Sequence, residues 1–579
     1  MIVFIDFETY YNEKEHYSLK YMPTLQYIRD PRFKVLGMSV AIGDGGETKW
    51  VDGYDNCKKV FDMLPPKDTV FVAHNASFDA AVAKEVFGFE ASRYVCTMFM
   101  ARYLIAQGGL PHDIGVALKD LAPMVDSEKL RLDEALADGT LDTYAIRDTD
   151  LCRNFYYKYA GLIPNEEFMY IDTHVRMSAL PKFVLDEELL KGCAETEENR
   201  AKLFGAVRKD DFLVAAFERL GVKVEYKTTP KGKTKAAFSK TDDFMKSLLQ
   251  HEDKRVAELA RLRLDAYSTC ERSKAQRFLD VGSPLACPLI YYGAATGRTS
   301  GSERMNVQNM PRGSDIRVAL RAPAGHKLVI IDSSQIEVRV LGFLAGENKL
   351  LDVFRRGEDI YKHFGATELF HKPIDEITKE ERQMSKPPVL AAGFGQSGLG
   401  LAAYAKRMGV DLSPEMAERC VQAYRSAYPA ITGGLNKSRD GYWQRAEQQV
   451  RDYGYTMLPS GRKITYPNLR YEQGGLVFDK HKIFLRDTSS TRLWHGLLVE
   501  NAVQATARDL VFWQVQEVLR RCPSAQPALM VHDEAVFVVP DSDAEACLAT
   551  AEECFKSAPE WALGIPVQGE GHISDCYDK

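Results

Sequence analysis

The sequence predicts an α/β multidomain protein, and three observations carry that expectation. Strand-like and helical stretches alternate over residues 1–160, a helical and heavily charged stretch follows, and two apolar strands ending in acids stand far apart in the remainder. At roughly 150 residues per domain, a chain of 579 residues makes three or four domains. Hydrophobic content of 45% and charged content of 27% suit a soluble globular enzyme. No apolar run reaches the ~18 residues of a membrane span. The opening "MIVFIDFETYY" lacks a basic leader and is too short in apolar length for a signal peptide. The 11 cysteines form no C-x-x-C pair, which fits reduced thiols and a cytoplasmic location. A net charge of -6 gives no global sign of nucleic acid and excludes none, because an electrostatic footprint is local.

Taken in order, "MIVFIDFETY" and "TVFVAHN" read as strands, "SFDAAVAKEVFG" and "TYAIRDTDLCRNFYYKYA" as helices, giving a first domain over 1–160. Residues 161–289 read as a helical connector, interrupted by the basic turn "YKTTPKGKTKAAFSK", an expected exposed hairpin or loop. Residues 290–345 contain the strand "KLVIID". A mostly helical insertion follows at 346–490, and 491–579 closes with "LMVHDEAVFVVP", a strand–turn–strand. The last domain is therefore split around its insertion.

Acids at strand ends are the chemical signal. Asp6 and Glu8, two apart on a strand, share a side. Among 81 acids about 11 such pairs arise by chance, so a solvated strand face is the alternative. Yet Asp6 ends an apolar run, where a charge is costly unless paired or metal-bound. Asn75 and Asp79 follow in "HNASFD", then Tyr144 and Asp148 in "YAIRD", which share a helix face at i, i+4. A phenol beside a carboxylate can align a water, and Asp150 is a nearby rival. Further on, Asp332 ends a second apolar strand, and Asp533 and Glu534 lie in a hairpin bend. Taken singly, Asp533 reads equally as a turn former. Ser334 and Glu337 read as an S-x-x-E capping box.

The order D-x-E, N-x-x-x-D, Y-x-x-x-D resembles the motifs of the Tyr-containing DEDD proofreading exonucleases, over the whole first domain. That resemblance implies an RNase H-like 3′–5′ exonuclease in which Asp6, Glu8, Asp79 and Asp148 hold two divalent metals and Tyr144 positions the attacking water. The ordered series "ATGRTS", "NVQNMP", "DSSQIEVR", Arg382-x-x-x-Lys386 with "FG", "ENAVQATARD" and "VHDE" resembles the polymerase domain of family A DNA polymerases, from about residue 290 to the end. It implies a right-hand polymerase with thumb 161–289, a split palm 290–345 and 491–579, and fingers 346–490. Asp332 and Asp533 would hold two Mg²⁺, or Mn²⁺, with Glu534 beside the primer terminus. Glu337 would be the steric gate against ribose, and Gln335, Arg382, Lys386, Leu390 and Phe394 would complete the dNTP site. Arg298, Gln308, Asn309, Asn501, Gln504 and His532 would follow the primer–template. Residues 290–327 carry six Lys/Arg against Glu303 and Asp315, a local phosphate-binding excess.

Three positions depart from the family pattern: Phe394 for a tyrosine, Leu390 for an aromatic residue, and Tyr361 for a histidine. The whole is similar to a bacteriophage-type replicative enzyme, expected to be a monomer with primer–template DNA and dNTPs as partners and no 5′-nuclease domain ahead. The rival readings are an exonuclease with a non-synthetic DNA-binding scaffold, and a single-subunit RNA polymerase. Glu337, the H-D-E turn and the proofreading motifs favour DNA. Finally, Thr378 and Glu381 form T-x-x-E and predict a helix start. Pro387 and Pro388 deny a donor to the carbonyls of Gln383 and Met384, so the helix is expected to form and to kink at 386–388. Arg382, Lys386, Leu390 and Phe394 would then advance about 40° per step along one broad face.

Overall fold

β1 (Ile2–Thr9) is the centre of a five-stranded sheet with β2 (Val35–Ile42), β3 (Lys49–Asp52), β4 (Val70–Ala73) and β5 (Arg93–Cys96), in the order β3-β2-β1-β4-β5. It runs antiparallel to β2 and parallel to β4, with Asp6 opposite Ser39 and Glu8 opposite Gly37. Flanked on both edges, β1 reads as a nearly unbroken apolar run, and Val3, Phe4, Ile5 and Phe7 are buried. That is why its two acids stand out. α1 (Ala76–Phe87) leaves β4 through Asn75, which takes a left-handed φ of 62°. α2 (Leu141–Tyr159) packs on β1 and β2, where Ser39 Oγ donates to the Ala145 carbonyl at 2.8 Å. α3 (Asn165–Ala179) is tied to β5 by Asp172, which accepts the Tyr94 N–H at 2.7 Å and pairs with Arg176 at 3.0 Å.

The computed structural model describes residues 1–578 except 204, 208, 229–233, 240–241, 268–269, 436–439 and 483–486. They fall into two units. The first comprises Met1–Lys182, Ala286–Gln308 and Pro323–Asp575; the second comprises Phe183–Leu285, Asn309–Ala322 and Cys576–Lys579. α3 thus belongs with the sheet that Asp172 anchors it to, and the connector expected from residue 161 starts at 183.

A second sheet of the first unit is wholly antiparallel. It is built from β6 (His326–Ser333), followed by α4 (Ile336–Ala345), α5 (Lys379–Ala391) and the long α6 (His495–Arg521), and from β7 (Gln526–Val531), β8 (Glu534–Pro540), α7 (Ala544–Phe555) and β9 (Gly569–Ser574). The strand order is β7-β8-β6-β9. Leu328 to Ile331 are fully buried at its centre, and α7 covers β6 and β9. The insertion is helical up to Tyr453, but from Tyr455 it turns to strands. These include an antiparallel sheet of Arg470–Glu472, Gly475–Lys482 and Asp487–Leu493. The insertion is mostly helical, as expected, and its last part adds strands, for which the alternation in "GLVFDKHK" is the signal.

The second unit is helical, as its charged periodicity suggests. Leu213, Phe217, Met245, Leu248, Val256 and Ala260 form its core. The flanks of the basic turn pair as a hairpin, Tyr226–Thr228 with Thr234–Ala236, while its tip lies outside the described residues. Among the described residues no helix is long and apolar enough to cross a membrane.

Candidate active sites

The first site gathers side chains from three elements of the N-terminal sheet. Asp6 and Glu8 stand on β1, Asp79 in the first turn of α1, and Tyr144 and Asp148 one turn apart on α2. Asp79 Oδ1 accepts the Phe7 N–H at 3.1 Å and so fixes α1 to the strand. Burial, then Glu8 and Asp148, hold the Asp6 carboxyl well above the usual carboxylate range. Burial, then Asp148, push Glu8 up to about 8. Asp79 is raised by burial and then by Asp6, and Asp148 by burial. Asp6, Glu8 and Asp79, each raised by burial and by neighbouring acids, call for positive charge.

Lys129 supplies one such charge. Its Nζ donates to the Tyr144 hydroxyl at 2.7 Å, forms an ion pair with Asp148 Oδ2, and lies 4.2 Å from the centroid of the Tyr144 ring. The other oxygen, Asp148 Oδ1, is buried without a hydrogen-bond partner. Asp150, the rival at sequence level, is engaged elsewhere, by Thr48 Oγ1 and by Arg153 at 2.8 Å. A cleft of about 580 Å³ opens beside Glu8, lined by Tyr10, Tyr11, Leu132, Leu136 and Leu141. Sequence reasoning missed Lys129: it sits in the charged stretch "DSEKLRLDEA", 19 residues before Asp148, with no spacing that links the two.

All-oxygen donors and an orphaned buried carboxylate oxygen fit a hard divalent ion such as Mg²⁺ or Mn²⁺. Among the described residues, however, no group of three or more His, Cys, Asp or Glu stands ready to hold one. At Asp148 an ammonium group stands instead.

The second site lies where β6 meets β8. Asp332 faces Glu534 across the ladder, and Asp533 sits in the bend before β8, its carbonyl accepting the Ser333 N–H at 2.9 Å. His532 makes the turn with a φ of 55°, and burial followed by Arg298 lowers its pKa. Burial, then the charge of Asp332, push the Asp533 carboxyl up to about 6. Two acids separated by the whole insertion thus converge. Glu534 is buried beside them.

Glu337 is not in a capping box. Gln335 is the N-cap of α4, at a left-handed φ of 47° and with no side-chain cap bond, which leaves Ser334 one residue too early. The Ser334 N–H goes to the Gln568 carbonyl at 2.9 Å. Glu337 is instead held by Arg298, whose Nη2 donates to Oε1 at 2.7 Å.

The capping box of α5 does form. Glu381 Oε2 accepts the Thr378 N–H at 2.9 Å, and Thr378 Oγ1 accepts the Glu381 N–H at 3.2 Å. The helix continues through Pro387 and Pro388 to Ala391. Arg382, Lys386 and Leu390 are partly exposed while Ser385, Pro387, Pro388 and Val389 are buried, so the two cations share an open face. Arg382 Nε pairs with Asp359 at 2.6 Å, and both cations lie over the Tyr361 ring, at 5.2 and 5.8 Å from its centroid. Phe394 departs from the expected 40° step. It belongs to a separate 3₁₀ turn, Ala392–Phe394, closed by Gly395 at φ 78°, where an added Cβ would stand 2.8 Å from Trp494.

The expected DNA-tracking residues do not form one cluster. Gln308 Nε2 donates to Thr299 Oγ1 at 2.8 Å and to the Met530 carbonyl at 3.1 Å. Asn501 and Gln504 lie partly exposed on α6, bonded to Tyr466 and Glu500. Asn309 falls in the second unit, where its carbonyl accepts Lys274 Nζ at 2.8 Å.

Residues 186–579 match the family model described as DNA polymerase family A. The chain is 27% identical over 295 residues to DNA polymerase I of Pseudomonas aeruginosa, a stretch covering 49% of this chain and 29% of that protein. It is 28% identical over 423 residues to the DNA polymerase of Bacillus phage SP02, covering 60% and 61%, respectively. To the thermostable DNA polymerase I of Thermus thermophilus it is 26% identical over 414 residues, covering 69% and 45%. The chain thus spans between 29% and 61% of the length of these relatives. Among solved structures it is similar to the POL domain of Pol1 from M. smegmatis in complex with DNA primer-template and dNTP. That likeness has a TM-score of 0.72 at 19% identity and covers 100% of this chain and 95% of that one, a likeness of fold.

Proposed function

This chain belongs to DNA polymerase family A, and from that premise we propose that it is a template-directed DNA polymerase carrying its own 3′–5′ proofreading exonuclease. The observation that carries the synthetic half is the convergence of Asp332 and Asp533 at the junction of β6 and β8; α5 separately offers Arg382 and Lys386 on one open face. Divalent ions bound by those carboxylates supply charge neutralisation for phosphoryl transfer. The chain's own residues do the positioning. Arg382 and Lys386 take the outer phosphates of a dNTP, where guanidinium and ammonium suit phosphate oxygens. Glu337, steadied by Arg298, fills the space that a ribose 2′-hydroxyl would need. Gln335, Leu390 and Phe394 border the nucleotide, with Phe394 keeping a ring for stacking. Arg298, Gln308, Asn309, Asn501, Gln504 and His532 hold primer–template through contacts that do not depend on base order, with Glu534 behind the primer terminus.

The exonuclease half rests on the mixed sheet order β3-β2-β1-β4-β5, which fits an RNase H-like domain, and on the acids it gathers. Asp6, Glu8, Asp79 and Asp148 would hold Mg²⁺ or Mn²⁺, and Tyr144 would orient the attacking water. The cleft beside Glu8, lined by Tyr10 and Tyr11, has room for a frayed 3′-terminal nucleotide. Likeness to a phage polymerase over 60% of the chain supports a phage-type replicative role; a monomer in the host cytoplasm goes with that reading.

A primed template supplied with dNTPs or rNTPs tests the reading. Extension is expected with dNTPs; none with either set would overturn it, and efficient rNTP use would make the chain an RNA polymerase. Asp533→Ala is expected to abolish extension and spare 3′–5′ digestion, and Asp6→Ala to do the reverse. Loss of both activities in either folded variant would overturn the two-site assignment.

A further inference from the structure

The exonuclease reading leaves Lys129 without a role, yet Lys129 touches both groups on which the hydrolysis depends. Its ammonium is on Asp148 Oδ2 and on the Tyr144 hydroxyl, and its side chain is 19% exposed against 7% for Asp148. We propose that Lys129 is the resident counter-cation of this acid cluster: a positioning residue that holds Asp148 and Tyr144 until a divalent ion binds and that must leave Asp148 for the ion to do so. The inference rests on the exonuclease reading of the site.

Three observations converge on it. First, Asp148 is only half used, with Oδ2 on the ammonium and Oδ1 buried and without a hydrogen-bond partner. A buried carboxylate oxygen left in that state loses its solvation without compensation, so the site is built for a further ligand. Second, the same four carboxylates whose donor chemistry fits a hard cation do not stand ready as a group to hold one, and the group found on Asp148 is the ammonium. A lysine is a compact charge on a flexible stem and can trade places with an ion, which a backbone donor could not do. Third, Lys129 precedes the helix Leu132–Asp138 in a stretch, 127–131, with no helix or strand of its own, so withdrawal of the side chain breaks no regular element.

Electrostatics sets the direction of the exchange. Without an ion, four clustered acids, Asp79 and Asp148 buried and Asp6 and Glu8 partly so, would repel one another, and an ammonium on Asp148 relieves that. With an ion in place, a second cation against the same carboxylate is repelled and is better solvated at the surface. Lys129 therefore competes with the ion, and the apparent affinity is the intrinsic one scaled by the fraction of molecules with Asp148 free.

Titration with Mn²⁺ alone tests this, with free Mn²⁺ followed by electron paramagnetic resonance. The full chain is used with Asp332→Asn and Asp533→Asn, so that the second site takes no ion. Lys129→Met is expected to tighten Mn²⁺ binding about tenfold, and Lys129→Arg, which keeps a cation, to bind no tighter than the parent. Unchanged or weaker binding in Lys129→Met protein with the parent's circular dichroism would overturn the proposal. Should that variant not fold, Lys129→Gln is read by the same criterion. Digestion of single-stranded DNA by the parent, abolished by Asp6→Ala, tests the exonuclease reading separately. Tightened Mn²⁺ binding without digestion would remove the reading and keep the counter-cation; digestion without tightening would do the opposite.

Discussion

His174, on α3, is the residue whose burial has the clearest thermodynamic consequence. Its ring packs 5.0 Å from that of Tyr291 and 5.1 Å from that of Phe512, and Nδ1–H donates to the Tyr170 carbonyl at 2.7 Å. Burial holds the imidazole at about 3, against an ordinary 6.5. Below pH 6.5 the unfolded chain takes up a proton that the folded chain refuses, so stability falls from pH 6.5 towards pH 3 and levels off below that. The slope for one such group is ~1.4 kcal/mol per pH unit, or about 2 kcal/mol between pH 6.5 and 5. His174→Phe keeps the ring and removes the titration. It is expected to shrink the stability lost between pH 7.5 and 5, measured by urea unfolding, by about 2 kcal/mol; an unchanged loss would reject the assignment. Other residues divide by legibility. Asp6 and Asp332 could be read because an acid closing an apolar run is conspicuous. Lys129 and Asp359 could not, since each meets its partner, Asp148 or Arg382, only through folding.

At the scale of the element, α5 shows which local signals survive folding. The T-x-x-E start is realised, and Ser385 Oγ adds a bond to the Glu381 carbonyl at 2.8 Å. The S-x-x-E before α4 is not realised, although its letters are as good: Gln335 turns left-handed between strand and helix and moves the cap by one residue. A motif of spacing does not contain that backbone choice. The same limit hid the break before Phe394, which depends on Gly395 beside Trp494. Thr378→Ala is expected to cost about 1 kcal/mol, the usual worth of a side-chain cap, seen as a lower urea midpoint with an unchanged slope. Thr378→Ser should restore it. Because Arg382 lies in the turn that the box secures, the alanine variant should also raise the KM for dNTPs, and no change in either quantity would show that the box is idle.

Across the whole molecule, order of motifs was legible and connectivity was not. The family match begins at residue 186, yet residues 1–182 share a unit with the second acid site. A buried ionic network within that unit is one reason. Arg508 on α6 pairs with Glu167 on α3 at 2.7 Å and with Asp509 at 3.0 Å; Asp509 pairs with Arg462 at 2.8 Å, and the Tyr291 hydroxyl donates to Glu167. All four charged residues are at least 95% buried. Nothing in "ENAVQATARD" announces a partner more than 300 positions upstream. Ions removed from water in this way contribute little net stability as a set, but removal of one strands the rest. Glu167→Ala should therefore cost about 3–5 kcal/mol. Pairing it with Arg508→Met should cost less than the sum of the single changes, by 0.5 to roughly 3 kcal/mol in a double-mutant cycle read by chemical unfolding. Strict additivity would mean that Glu167 and Arg508 do not support each other, and residues 1–182 would then owe their place in this unit to apolar packing and to neutral contacts such as that of Gln107 with Lys463.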